Sequence, residues 1–212
     1  VNKLRIGSLI VGLAGLLVPS LKADTLALDM LGLGSWGPSP TGYNVVGWKF
    51  QVNTAILVDG LAFWDNTDHA SHEVGIYSDA TQALLVLATV DPGHTPVGTG
   101  PWQVQPIAPY LLQPGIYDIA AETGSDNYTF GPSSISTIPE ITYLQDRYLF
   151  GNTVLAFPSQ SSGGGLVGWF GPSFTAVDAP APTPEPVSAL LCGAGLLALA
   201  AMRHRRKQAR QT

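Results

Sequence analysis

Apolar and polar positions alternate with a period of two through most of the chain between its two ends. In Val45-Val46-Gly47-Trp48-Lys49-Phe50-Gln51-Val52, the residues Val46, Trp48, Phe50 and Val52 share one face, as in a strand with one side buried. The same reading predicts strands over 56–64, 73–77, 84–90, 102–107, 115–121, 153–157 and 166–177. Asn53-Thr54-Ala55, Ser78-Asp79-Ala80-Thr81, Asp91-Pro92-Gly93 and Pro114-Gly115 separate the runs, because Gly, Pro, Asn and Asp supply the backbone angles of a reversal. Residues 141–150 fit either a short helix or a strand. No apolar stripe recurs at 3.6 residues between 24 and 179, and no long internal repeat is visible. Short strands punctuated by turns predict an all-β domain over 24–178, an antiparallel β-sandwich or jelly roll. Trp48 is expected in its core and Glu73 on its surface.

The two ends break this pattern. Lys3 and Arg5 precede an apolar run over 6–18, and Pro19-Ser20-Leu21-Lys22-Ala23 offers a cleavage region, the plan of a secretory signal peptide over 1–23. At the other end, Ala179-Pro180-Ala181-Pro182-Thr183-Pro184 begins an extended spacer over 179–186, since proline fixes φ and restrains the residue before it. Residues 187–202 carry no charge, and as a transmembrane helix they would span roughly 24 Å at ~1.5 Å per residue. That falls just short of a ~30 Å hydrocarbon core. Residues 203–212 form a basic tail beginning Arg203-His204-Arg205-Arg206-Lys207, which the positive-inside rule keeps cytoplasmic.

The order Pro184-Glu185-Pro186, apolar run, then Arg203, Arg205 and Arg206 resembles the PEP-CTERM sorting signal of Gram-negative bacteria, also labelled an ice-binding-protein C-terminal domain. The resemblance implies recognition by an exosortase, a membrane-embedded Cys enzyme that processes the tail near the Pro-Glu-Pro. It implies an inner-membrane-anchored precursor, then release to the cell surface or beyond it. A second resemblance covers about 43–174. Gly47-Trp48-Lys49-Phe50, Leu61-Ala62-Phe63-Trp64-Asp65, Ser71-His72-Glu73-Val74-Gly75-Ile76-Tyr77, Pro114-Gly115-Ile116-Tyr117 and Trp169-Phe170-Gly171-Pro172-Ser173-Phe174 look like a DUF4082-like β-rich exported domain, with Ser173 where Asn is more usual. This implies a fold and a setting, not an activity.

Charge sharpens the picture once the ends are set aside. The chain has 10 basic and 15 acidic residues, yet between 24 and 186 only Lys49 and Arg147 are basic while all 15 acids lie there, a formal −13. Such a field repels nucleic acid and attracts cations, so a nucleic-acid partner is excluded. The single cysteine, Cys192, sits in the apolar tail run, so the β domain depends on its core and not on disulfides.

Candidate chemistry is sparse. Asp65-Asn66-Thr67-Asp68-His69 followed by His72 places oxygen and imidazole donors close in sequence. Asp65, Asp68 and His72 are therefore candidate ligands for Ca²⁺ or, through the imidazoles, a transition metal; the alternative is a solvated loop with His72 hydrogen-bonded at a strand start. Trp36 and Trp102 lie among Gly and Pro, and are candidate stacking platforms for a glycan or packing over the end of the domain. Asp118, Glu122 and Asp126 are the nearest approach to a glycosidase pair, although Asp118 alternates within a strand. No nucleophile elbow, zinc-protease motif, phosphate loop or dinucleotide fingerprint occurs. The expectation is a non-catalytic, exported matrix or biofilm protein, without a cofactor unless Ca²⁺ binds. Its partners would be the secretion machinery, an exosortase, the membrane before processing, and extracellular polysaccharide. The competing class is a secreted polysaccharide hydrolase.

Overall fold

The computed structural model describes residues 25–32, 35–37, 43–65, 70–93, 101–124, 128–132, 134–163 and 168–179. The signal peptide, most of the spacer, the sorting residues Pro184, Glu185, Pro186, Arg203, Arg205 and Arg206, and the predicted transmembrane helix lie outside them. The described residues form strands and no helix. The strands are β1 (Thr25–Leu26), β2 (Leu28–Gly32), β3 (Ser35–Gly37), β4 (Asn44–Val52), β5 (Ile56–Trp64), β6 (His72–Ser78) and β7 (Leu84–Val90). They continue as β8 (Trp102–Leu112), β9 (Gly115–Glu122), β10 (Tyr128–Phe130), β11 (Ser134–Thr137), β12 (Ile141–Phe150), β13 (Trp169–Phe170) and β14 (Pro172–Asp178).

Every pairing is antiparallel. A five-stranded sheet has the order β12-β4-β9-β6-β7 and a four-stranded sheet the order β1-β14-β5-β8; β13-β10-β3 and β11-β2 make two small sheets. The large sheets meet through aromatic side chains. Trp48 of β4 stacks on Phe174 of β14 with ring centroids 6.0 Å apart, and Phe50 lies 5.3 Å from the same ring. All three are fully buried, each worth roughly 1.5–3 kcal/mol in area removed from water. The Trp48 indole N–H donates to the Pro172 carbonyl at 2.8 Å, tying one sheet to the other. The expected core face of β4 is thus the observed one, and Glu73 is exposed as expected.

The outer face of the five-stranded sheet is also partly covered. Val45, Tyr77 and Ala120 form a small second core under Leu149, Leu155 and Phe157. The cover is the chain after β12, which doubles back until Gln160 and Tyr148 exchange two backbone hydrogen bonds of 3.0 Å. Gly75 leaves the room for it, since a Cβ there would sit 3.0 Å from Leu155. Residues 153–157 are therefore not the predicted strand. Their apolar side chains serve as a lid on a sheet and not as a member of one.

Other differences have equally local causes. Residues 141–150 resolve as strand because they pair along the whole of β4, from Ile141 opposite Val52 to Phe150 opposite Asn44. β8 runs on past 107 to Leu112 in spite of Pro106 and Pro109; it is an edge strand, where a missing N–H costs no ladder bond on the open side. The run 166–177 is divided at Gly171, its first part pairing with β10 and its second with β5 and β1.

Candidate functional site

The most unusual cluster lies on the outer face of the five-stranded sheet, where register brings four charged side chains together. Lys49 of β4 is directly opposite Asp118 of β9. Arg147 of β12 is opposite Gly47 and reaches past that position to Asp118, its Nε donating to Oδ1 at 2.8 Å. Asp79, in the turn after β6, comes in from the side, with its N–H 3.3 Å from the Ile116 carbonyl. Its Oδ1 lies 2.5 Å from Lys49 Nζ and 3.4 Å from Arg147 Nη2. The only two cations of residues 24–186 thus converge on one pair of carboxylates.

The two carboxylates are in opposite electrostatic states. Asp118 is fully buried, and burial pushes its carboxyl up to about 7 despite the pull of Arg147, with the neighbouring Asp79 adding to the rise. Burial also pushes Asp79 up, but hydrogen bonds from Lys49 and Asp118, together with the charges of Lys49 and Arg147, carry it below its ordinary value. No donor reaches Asp118 Oδ2, as suits a carboxylic acid whose own proton is offered to Asp79. Tyr77, opposite Asp118 in register and buried, has its hydroxyl pushed up to about 12 by burial and then by Glu73. The site therefore holds a lysine, an ionised acid, a buried acid that keeps its proton up to about pH 7, and a guanidinium that touches both acids. Asp118 is fully enclosed, while the Lys49, Arg147 and Asp79 side chains are 16%, 12% and 25% exposed.

The residues singled out from sequence are dispersed. Asp65 is buried, its N–H bonded to the Pro101 carbonyl at 3.2 Å, while Asp68 lies outside the described residues. His72 is not a solvent-facing ligand but a core residue, 1% exposed. Its ring stacks on Phe63 at 3.9 Å, and Nδ1 lies 3.2 Å from the Glu122 carbonyl. Among the described residues no three of His, Cys, Asp and Glu converge as a metal site would require. Trp102 must be corrected as a glycan platform. It is fully buried, set edge-on to Trp64 at 5.1 Å, and its indole N–H donates to Asp29 Oδ1 at 2.8 Å. No ring face remains for a sugar. Trp36 lies in β3, opposite Thr129.

The carboxylates weighed as a glycosidase pair are likewise engaged. Asp118 belongs to the ion cluster, and Glu122 accepts the N–H groups of Glu73 and Gly124 at 3.2 and 2.8 Å. Asp126 lies outside the described residues. Asp146, fully buried, accepts from the Ser161 hydroxyl and the Ser162 N–H, each at 3.0 Å, and so fastens the start of the Gly-rich loop. The cluster of Lys49, Asp79, Asp118 and Arg147 went unanticipated. Its signal was the isolation of two cations between residues 24 and 186 of an acidic chain. No family model matches the chain, and no curated protein or solved structure matches it.

Proposed function

We propose that the chain is an exported cell-surface or extracellular-matrix protein, sorted by an exosortase through its C-terminal tail, with an antiparallel β-sandwich as the delivered part. The observation that carries this is the fixed order of Pro184-Glu185-Pro186, an uncharged run and an arginine cluster, placed after a domain nearly stripped of cations. The facing of the two large sheets through Trp48 and Phe174 supports the sandwich. A stable fold without cysteines in residues 24–186 suits export without reliance on disulfide chemistry. We read the role as non-catalytic; of the carboxylates weighed as a hydrolase pair, Asp118 is engaged by Arg147 and Glu122 by backbone N–H groups. Trp36 remains the platform candidate for a glycan, and Asp65 with Asp68 the oxygen donors for Ca²⁺.

The decisive experiment is mass spectrometry of the secreted protein from a host that carries an exosortase. Secreted material is expected to lack both ends, and the variant with Arg203, Arg205 and Arg206 changed to Glu is expected to lose retention and processing. A secreted polypeptide that still contains Arg206, or an intact chain free in the cytosol, would refute the sorting assignment. A rise in melting temperature with Ca²⁺, lost in Asp65→Ala/Asp68→Ala, is the mark of a cation site. Loss of glycan binding in Trp36→Ala is the mark of the platform.

A further inference from the structure

We propose that Lys49 and Asp79 become joined by an intramolecular amide bond, with Asp118 as the proton-transfer group and Arg147 as the stabiliser of the developing negative charge. This does not depend on the export reading. The geometry is that of reactants already held together. Lys49 Nζ is 2.5 Å from Asp79 Oδ1, so the carboxyl carbon is at most one C–O bond farther, compatible with the ~3–3.5 Å of a near-attack arrangement. The two side chains are only 16% and 25% exposed, and Asp118 beside them is completely enclosed. Arg147 Nη2, 3.4 Å from the same Oδ1, points positive charge at the oxygen that becomes the oxyanion.

The step balances without any co-reactant. The Lys49 ammonium passes a proton to Asp79 Oδ1, 2.5 Å away, and the free amine attacks the carbon of the resulting carboxyl. A C–N bond forms, and the tetrahedral intermediate rests against Arg147. Asp118 gives its proton to the departing hydroxyl, the C–O bond breaks and water leaves, and Asp118 recovers a proton from the newly bonded nitrogen. An ammonium and a carboxylate become one neutral amide and one water, with no change of oxidation state. Asp118 is suited to both transfers because burial poises its carboxyl at about 7. Amide formation in water is opposed by the solvent. Well-oriented partners, by contrast, reach effective molarities of ~10⁵ M or more, and release of water from a largely closed site favours the product. The bond would fasten β4 to the turn between β6 and β7, a covalent staple in a region that has no cysteine.

Two measurements on the purified full chain test this. Its intact mass is expected to be lower by one water than the sequence present. After denaturation trypsin is expected to cut at Arg147 and leave Lys49 uncut, since an acylated lysine is not a substrate; these are the only two tryptic sites in residues 24–186. K49R, which keeps the charge, and D79A should both show no water loss. D118N should retain its strand circular dichroism yet remain unlinked and be cut at Lys49. Full sequence mass with cleavage at Lys49 in the folded wild type would overturn the proposal. Water loss with Lys49 still cleavable would also overturn it, because the dehydration would then lie elsewhere.

Discussion

Replacing Asp118 with Asn tests whether burial or Arg147 governs this carboxyl. The group is fully enclosed and is raised from 3.8 to about 7, burial outweighing the guanidinium 2.8 Å away. At about 1.4 kcal/mol per pH unit, the interval amounts to about 4 kcal/mol. The sign follows from proton counting. Between the two values the native state holds a proton that the unfolded state has lost, so stability falls as pH rises. The native state thus has its full advantage below about pH 4 and has lost it by about pH 7. The amide that D118N introduces has the same shape as the carboxyl and no proton to lose. The stability difference between D118N and wild type should therefore shift by about 4 kcal/mol in favour of the variant from pH 4 to pH 8. Only the slope is compared, so a constant offset, from an absent staple or otherwise, drops out. Loss of Lys49 and Asp79 charges together on cross-linking also leaves the direction intact, because they act on Asp118 with opposite signs. Urea unfolding across that range supplies the measurement. Parallel slopes, or a wild type that gains on the variant as pH rises, would show that the ion pair with Arg147 dominates and would refute the reasoning.

Two further substitutions probe packing. Gly47→Ala is expected to cost about 3 kcal/mol or more, because its Cβ would meet the Ile119 carbonyl oxygen on the adjacent strand and neither backbone can withdraw without breaking the ladder; thermal unfolding measures the loss. Ser173→Ala should cost about 2 kcal/mol. The buried hydroxyl donates to the Leu28 carbonyl at 2.8 Å and accepts the Leu28 N–H at 3.1 Å, and both backbone groups would be left unmet, so Leu28 amide protection against hydrogen exchange should fall with the melting temperature.

Ser173 also marks the limit of what the sequence could tell. The strands of the two large sheets were legible where one face is buried, since one-sided burial writes a period of two; 56–64 and 84–90 were recovered to the residue. The short strands β1, β2, β3, β10 and β11 were not, because each is made by a partner distant in the chain and carries too few residues to show a period. Trp102 looked like a stacking platform because Gly100 and Pro101 precede it, whereas Asp29 on β2 claims its indole N–H. Leu155 and Phe157 had the composition of a strand, and only the small residues across the sheet show why they cap it instead. The charged cluster was hidden for a related reason. Asp79 reads as a turn residue and Asp118 as one polar position in an alternating strand. Only the register of β4 against β9 and β12 unites them with Lys49 and Arg147.

That commitment of both cations constrains any polysaccharide partner. Residues 24–186 carry a formal −13, and the two positive side chains within that stretch are engaged with Asp79 and Asp118. No lysine or arginine is left to face an anionic polymer, which is repelled over a Debye length of ~8 Å at physiological salt. A glycan bound by this domain must therefore be neutral, or must be bridged through a divalent cation to exposed carboxylates such as Glu73 and Asp91. Binding to a neutral glucan should be indifferent to salt and to chelator. Binding to a uronate polymer should appear only with Ca²⁺ and vanish when the ion is removed. Chelator-resistant binding of the uronate polymer that weakens with salt would mean that Lys49 or Arg147 is available at the surface. The ion cluster would then have to open in solution, and the closed site on which its chemistry depends would be lost.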